Sequence, residues 1–181
     1  IDPSDYGICI LHPVTSETNI MRQQASDLFE ALKGSSKYFV VIRPNNDPGS
    51  GDIIAVIDAL PKSQFKVIPS MSFGRFSELL KNAACIVGNS SAGVREAPFL
   101  GVPSLDVGSR QSDRAFGPSI TKADAGQQDK IARFLQQNWH SRHPRQTEFG
   151  HGNATQKFID ILKSDAFWQR SMQKYFNDFV Q

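Results

Sequence analysis

Short, almost wholly apolar runs recur through the first 107 residues, and between them the apolar positions fall at a different period. The runs at 6–11, 38–43, 65–69, 85–88 and 103–107 are too brief and too uniformly apolar for one-sided surface strands. Such runs predict strands buried on both faces, as in a parallel sheet. The intervening segments 19–33, 51–60, 73–83 and 92–99 repeat at helical or near-helical spacing, most clearly through Ile20, Leu28, Phe29 and Leu32. Regular alternation of strand and helix predicts βαβ units with right-handed crossovers. The expected fold is therefore α/β, a doubly wound parallel sheet of Rossmann-like type.

Past Ile120 the pattern changes. Residues 127–139 read as a helix, 140–152 as a loop carrying His143-Pro144 and two glycines, and 153–163 as a helix with Phe158, Ile159 and Leu162 on one face. A last helix is expected over 165–180, with Phe167, Trp168, Met172, Tyr175, Phe176 and Phe179. That is too much aromatic surface for a solvated helix, and such surface marks a partner.

Composition narrows the classes. A chain of 181 residues that is 39% hydrophobic suffices for one packed domain. The formal charge is +2 and the 20 basic residues are scattered with no run of five, so no nucleic-acid footprint is indicated. Cys9 and Cys85 each lie inside an apolar run, the setting of a small buried hydrophobe, and two such residues make neither a disulfide framework nor a zinc site. A reducing, cytoplasmic setting follows as the expectation. No stretch approaches the roughly 20 apolar residues that span a bilayer, and no signal-peptide pattern opens the chain. The start, Ile1-Asp2-Pro3-Ser4-Asp5, runs at once into the first strand, as though continuing a longer protein.

In a doubly wound sheet, ligands bind beyond the carboxyl ends of the strands. The residues there are His12 to Thr15, Pro44 to Asp47, Ser70 to Ser72, Asn89 to Gly93 and Gly108 to Arg110, small or polar at every edge. Ser90 and Ser91 fall at a strand-to-helix junction, where hydroxyls and free N–H groups hold an anion. Glu96 is placed to accept two hydrogen bonds from a vicinal diol. Arg110 brings a planar charge from the next strand end. Together these describe a nucleoside diphosphate site. Each also has an ordinary reading: a serine N-cap, a glutamate pairing with Arg95 or Arg110 at the surface, and for His12 a plain strand-end histidine. Neither GxGxxG nor GxxxxGK[ST] occurs.

Four motifs in order, "LHPVTSE", "RPNNDPGS", "GNSSAGVREAPFLGVPSLDVGSRQSDR" and "FGHGNATQKFIDIL", resemble the UDP-N-acetylglucosamine 2-epimerase family over nearly the whole chain. The resemblance implies the C-terminal half of a two-domain GT-B architecture. Residues 1–163 would be the nucleotide-binding domain, and 164–181 a helix packing against an N-terminal domain not represented here. It implies that His12 contacts the diphosphate and favours UDP departure, with Asn45 and the Met71 backbone along the nucleotide. Ser90 and Ser91 would bind phosphate, Glu96 the ribose hydroxyls, and Arg110 would complete the site. "HPVT" stands where non-hydrolysing members usually carry His-Arg-Arg-Glu-Asn, so the likeness is to the hydrolysing branch. That branch eliminates UDP to a glycal and adds water with inversion at C2, releasing N-acetylmannosamine or a related diacetamido sugar for sialic-acid-like synthesis. The acid and base carboxylates would come from the N-terminal domain. His151 replaces the family's usual acidic residue in "FGDGNA". The expected partners are a UDP-sugar and the missing domain, without nucleic acid, membrane, cofactor or metal, and a homo-oligomer stays open. A glycosyltransferase half of the same architecture and a non-enzymatic nucleotide-binding module are the alternatives.

Overall fold

The computed structural model describes residue 2 and residues 4–173. The chain divides into two compact units, residues 1–146 and 147–181. In the first, strands β1 (Tyr6–Ile10), β2 (Tyr38–Ile42), β3 (Phe65–Ile68), β4 (Ile86–Gly88), β5 (Ser104–Val107) and β6 (Ile120–Ala123) form one sheet in the order β3-β2-β1-β4-β5-β6. Every neighbouring pair is parallel. Parallel neighbours need crossovers, and four of the five are supplied by α1 (Met21–Gly34), α2 (Ser50–Asp58), α3 (Phe73–Asn82) and α4 (Glu96–Leu100), while residues 108–119 join β5 to β6 without a helix and α5 (Gln128–Asn138) closes the unit.

Alternation along each strand builds two cores. Cys9, Val41, Val87, Leu105 and Val107 face one way and meet Leu28, Phe29 and Leu32 of α1, Ile53 and Ile57 of α2, and Ile131, Phe134 and Leu135 of α5. Ile8, Ile10 and Ile86 face the other way and meet Leu80 of α3 and Ala97 of α4. Helices on both faces explain why the strands are apolar throughout. The α1 contribution follows from spacing, since Met21, Ala25, Leu28, Phe29 and Leu32 share one face and are buried. Each large side chain so buried contributes about 1.5–3 kcal/mol.

At the centre of the sheet β4 ends beside β1 on a glycine. Gly88 has φ 124°, and a Cβ there would lie 2.1 Å from the carbonyl oxygen of Ile10. Only glycine fits both requirements.

The structure differs from the sequence expectation at four places. β6 was absent from it: Ile-Thr-Lys-Ala is short, half-exposed and carries Lys122 outward, the habit of an edge strand and not of an apolar run. The helix expected from Asn19 begins at Met21, preceded by a 3-10 segment Thr15–Ile20. The helix expected over 92–99 is split into a 3-10 turn, Ser91–Gly93, and α4, with Pro98 tolerated in the first turn and Gly101 at φ 69° ending it.

The fourth difference lies in the second unit, formed by α6 (Ala154–Leu162) and α7 (Asp165–Trp168). In place of a helix running from 165, α7 is a single turn. The Trp168 indole N–H donates to the Leu162 carbonyl at 2.7 Å, and the Trp168 ring meets Phe167 edge-on, so the chain folds back at this point. Tyr175, Phe176 and Phe179 lie outside the described residues. Phe158, Ile161, Trp168 and Met172 are exposed.

Candidate functional site

The strand order reverses direction between β1 and β4, the place where an open α/β sheet leaves a crevice beyond its carboxyl ends. His12 follows β1 at this point and Asn89 follows β4. The two are joined reciprocally: the His12 N–H donates to Asn89 Oδ1 at 2.7 Å, and Asn89 Nδ2 donates to the His12 carbonyl at 2.8 Å. The Asn89 side chain thereby continues the β1–β4 pairing one step past the point where the strands end.

The His12 ring is fixed by a second loop. The Asn45 backbone N–H, beyond β2, donates to His12 Nδ1 at 3.2 Å. With Nδ1 accepting, the neutral ring carries its proton on Nε2. Burial pushes the imidazole below its ordinary pKa, and the Arg110 guanidinium adds to the effect while Asp47 opposes it. His12 is thus a neutral hydrogen-bond donor at pH 7.

Arg110 enters from the loop after β5. Its Nη1 donates to the Asn89 carbonyl at 3.1 Å, and Gln111 Nε2, on a wholly buried side chain, donates to the same oxygen at 2.9 Å. Glu17, on the 3-10 segment after β1, accepts from the Ser109 hydroxyl and from Gln24 Nε2. These two bonds, the Ser109 one foremost, hold its carboxyl below the usual range. The loops after β1, β2, β4 and β5 therefore form one hydrogen-bonded rim.

Ser90 caps the 3-10 turn, its Oγ accepting from the Ala92 N–H at 3.3 Å, as an ordinary N-cap does. Ser91 is half-buried beside it, and its carbonyl accepts from the Val94 and Arg95 N–H groups. Glu96 opens α4, and its Oε2 is buried without a hydrogen-bond partner. A buried carboxylate oxygen left unsatisfied is costly. Met71 stands on the loop after β3, two strands from β1, and takes no part in the rim's hydrogen bonds. His12, Asn45 and Arg110 are thus brought into one network, while Ser90, Ser91, Glu96 and Met71 stand at the same sheet edge outside it.

Of three further polar residues at this edge, chain direction places Asn89 among the strand-end residues but gives it no role, and Glu17 and Gln111 carry no signal of their own. Asn89 and Glu17 act through partners 77 and 92 residues away, and Gln111 through one 22 away. Asp106, on β5 and paired in register with Gly88, is buried; burial raises its pKa to about 6 against the pull of Lys122, and its Oδ1 has no partner. Among the described residues no group of three or more His, Cys, Asp or Glu could hold a metal.

Comparison with known proteins gives this geometry a family. The model of the UDP-N-acetylglucosamine 2-epimerase family matches residues 1–163. A UDP-N-acetylglucosamine 2-epimerase from Neisseria meningitidis is 38% identical over 177 residues, covering 96% of this chain and 47% of its own length. A hydrolysing UDP-N,N'-diacetylbacillosamine 2-epimerase from Legionella pneumophila is 26% identical over 167 residues, covering 90% and 44%. The chain spans about half the length of these curated relatives. The Methanocaldococcus jannaschii UDP-GlcNAc 2-epimerase, solved in complex with UDP-GlcNAc and UDP, superimposes with a TM-score of 0.69 at 19% identity, over 87% of this chain and 45% of that one. That likeness shows the fold, a Rossmann-like half of a GT-B architecture. With its family model covering the sheet and the whole loop rim, this chain belongs to the UDP-N-acetylglucosamine 2-epimerase family.

Proposed function

We propose that the chain is the UDP-binding half of a hydrolysing UDP-N-acetylglucosamine 2-epimerase. The observation that carries the reading is the buried, unpartnered Oε2 of Glu96 at the start of α4, close in sequence to the Ser90-Ser91 turn. A ribose diol supplies the donors that this oxygen lacks. Ser90 and Ser91 take the diphosphate, with Arg110 and the His12 Nε2–H completing its hydrogen bonds. Asn45 and the Met71 backbone border the nucleotide.

In the reaction, a base removes the C2 proton as the C1–O bond breaks and UDP departs, leaving a glycal. Water then adds at C1 and a proton returns to C2 on the opposite face, giving N-acetylmannosamine or a diacetamido analogue. Charge develops on the departing diphosphate, where a neutral donor and a fixed guanidinium stabilise it without reorganising. The acid and base carboxylates belong to a second domain. The hydrolysing assignment rests on "HPVT" and on the Legionella relative of that type. Free buried thiols at Cys9 and Cys85 suit a cytoplasmic enzyme.

Calorimetric titration tests the ribose assignment. UDP should bind more tightly than its 2′,3′-dideoxy analogue, and Glu96→Ala should abolish most of that difference, about tenfold or more for the lost charged hydrogen bonds. Unchanged UDP affinity in both Glu96→Ala and Arg110→Ala would remove the site from this edge.

A further inference from the structure

One residue holds more of the rim together than any residue assigned to the ligand. Asn89 is 3% exposed, and nearly all its hydrogen-bonding capacity is committed inside the chain. Its N–H donates to the Ile10 carbonyl at 3.1 Å, its side-chain amide grips the His12 main chain from both sides, and its carbonyl accepts from Arg110 and Gln111. We propose that Asn89 is the positioning residue of this site: its amide clamps the His12 backbone and its carbonyl seats the Arg110 guanidinium, so that a single residue fixes imidazole and guanidinium against each other.

The chemistry requires such a device. His12 and Arg110 come from different strand ends, separated in the sheet by β4, and the two must converge on one diphosphate. Small errors in placing such groups cost large factors in rate. No β ladder extends this far, since β1 ends at Ile10 and β4 at Gly88. An asparagine side chain carries a donor and an acceptor on one planar group, as a peptide unit does, and so substitutes for the missing ladder step. Gly88 immediately before it lets the two chains approach closely enough for the amide to reach. The role rests on the UDP reading for what the pair acts on, but the clamp itself is a property of the unliganded chain.

Histidine-labelled NMR of the unliganded 181-residue chain tests it, with the His12 signal identified by its loss in His12→Ala. The groups facing this imidazole are Arg110, Asp47 and the Asn45 N–H. In Asn89→Ala the ring should loosen from Arg110 and from burial, and its titration should move up toward the ordinary histidine value. The His12 backbone amide should lose its protection from exchange, and UDP affinity should fall about tenfold, the equivalent of one charged hydrogen bond. If that variant does not fold, Asn89→Asp decides. Its carboxylate still accepts from the His12 N–H, so that amide should stay protected while the lost donor to the His12 carbonyl and the added charge move the titration up. A folded Asn89→Ala chain with wild-type His12 titration and amide protection overturns the proposal, as does loss of His12 amide protection in a folded Asn89→Asp chain. Failure of the wild-type chain to bind UDP, with the His12 responses intact, instead overturns the UDP reading and leaves the clamp standing.

Discussion

The residues that define this site fall into two groups that differ in how they can be recognised. Small and polar residues at the ends of apolar strands, such as His12, Asn45, Ser90 and Arg110, are legible because chain direction alone puts them at one edge. Chain direction places Asn89 there too, but its role, like those of Glu17 and Gln111, is not legible, because it comes from hydrogen bonds between distant segments, for which no periodicity exists. Asp106 was hidden inside a short strand that reads as part of the apolar pattern. With its folded pKa at about 6, above an unfolded value near 3.8, the folded chain binds the proton more readily than the unfolded one. Stability attributable to this group is therefore full below pH 4, falls as pH rises from about 4 to 6, and stays low above. Asp106→Asn should stabilise the chain at pH 8 by on the order of 2 kcal/mol and give no gain below pH 4. Urea unfolding at the two pH values measures this. An equal gain at both would mean that folding does not raise the Asp106 pKa, and a loss at pH 8 would mean that the carboxylate has an ionic partner when folded.

At the scale of elements, the five strands of the first 107 residues were readable because strands buried on both faces are nearly pure apolar sequence. β6 was not, since an edge strand half in solvent keeps polar and charged residues that look like loop. α4 is ended locally by Gly101 at φ 69°, and α7 ends after a single turn, where the Trp168 indole N–H donates to the Leu162 carbonyl. The tightest constraint on any element is at Gly88, where β4 meets β1. Gly88→Ala combines a left-handed φ with a Cβ 2.1 Å from a backbone oxygen, which no rotamer change relieves. The loss should be at least about 3 kcal/mol. A urea midpoint equal to that of the wild type would show that the β1–β4 approach is not fixed in the way described.

For the whole molecule, the sheet order puts a polar edge at its switch point, and the proposed function assigns nucleotide-sugar binding to that edge and proton transfer at C2 to a second domain. Glu17 is committed to Ser109 and Gln24, and the proposal assigns Glu96 to the ribose, so neither is offered as the base at the sugar ring. Division of labour between this half and a second domain is the central claim, and 31P NMR of UDP-N-acetylglucosamine mixed with the 181-residue chain tests both sides of it at once. The diphosphate resonances should broaden or shift on adding the chain, recover when excess UDP competes, and show no growing signal of released UDP over hours. Unperturbed resonances would contradict the binding site, and accumulation of UDP with free N-acetylmannosamine would show that the catalytic groups lie within this chain after all.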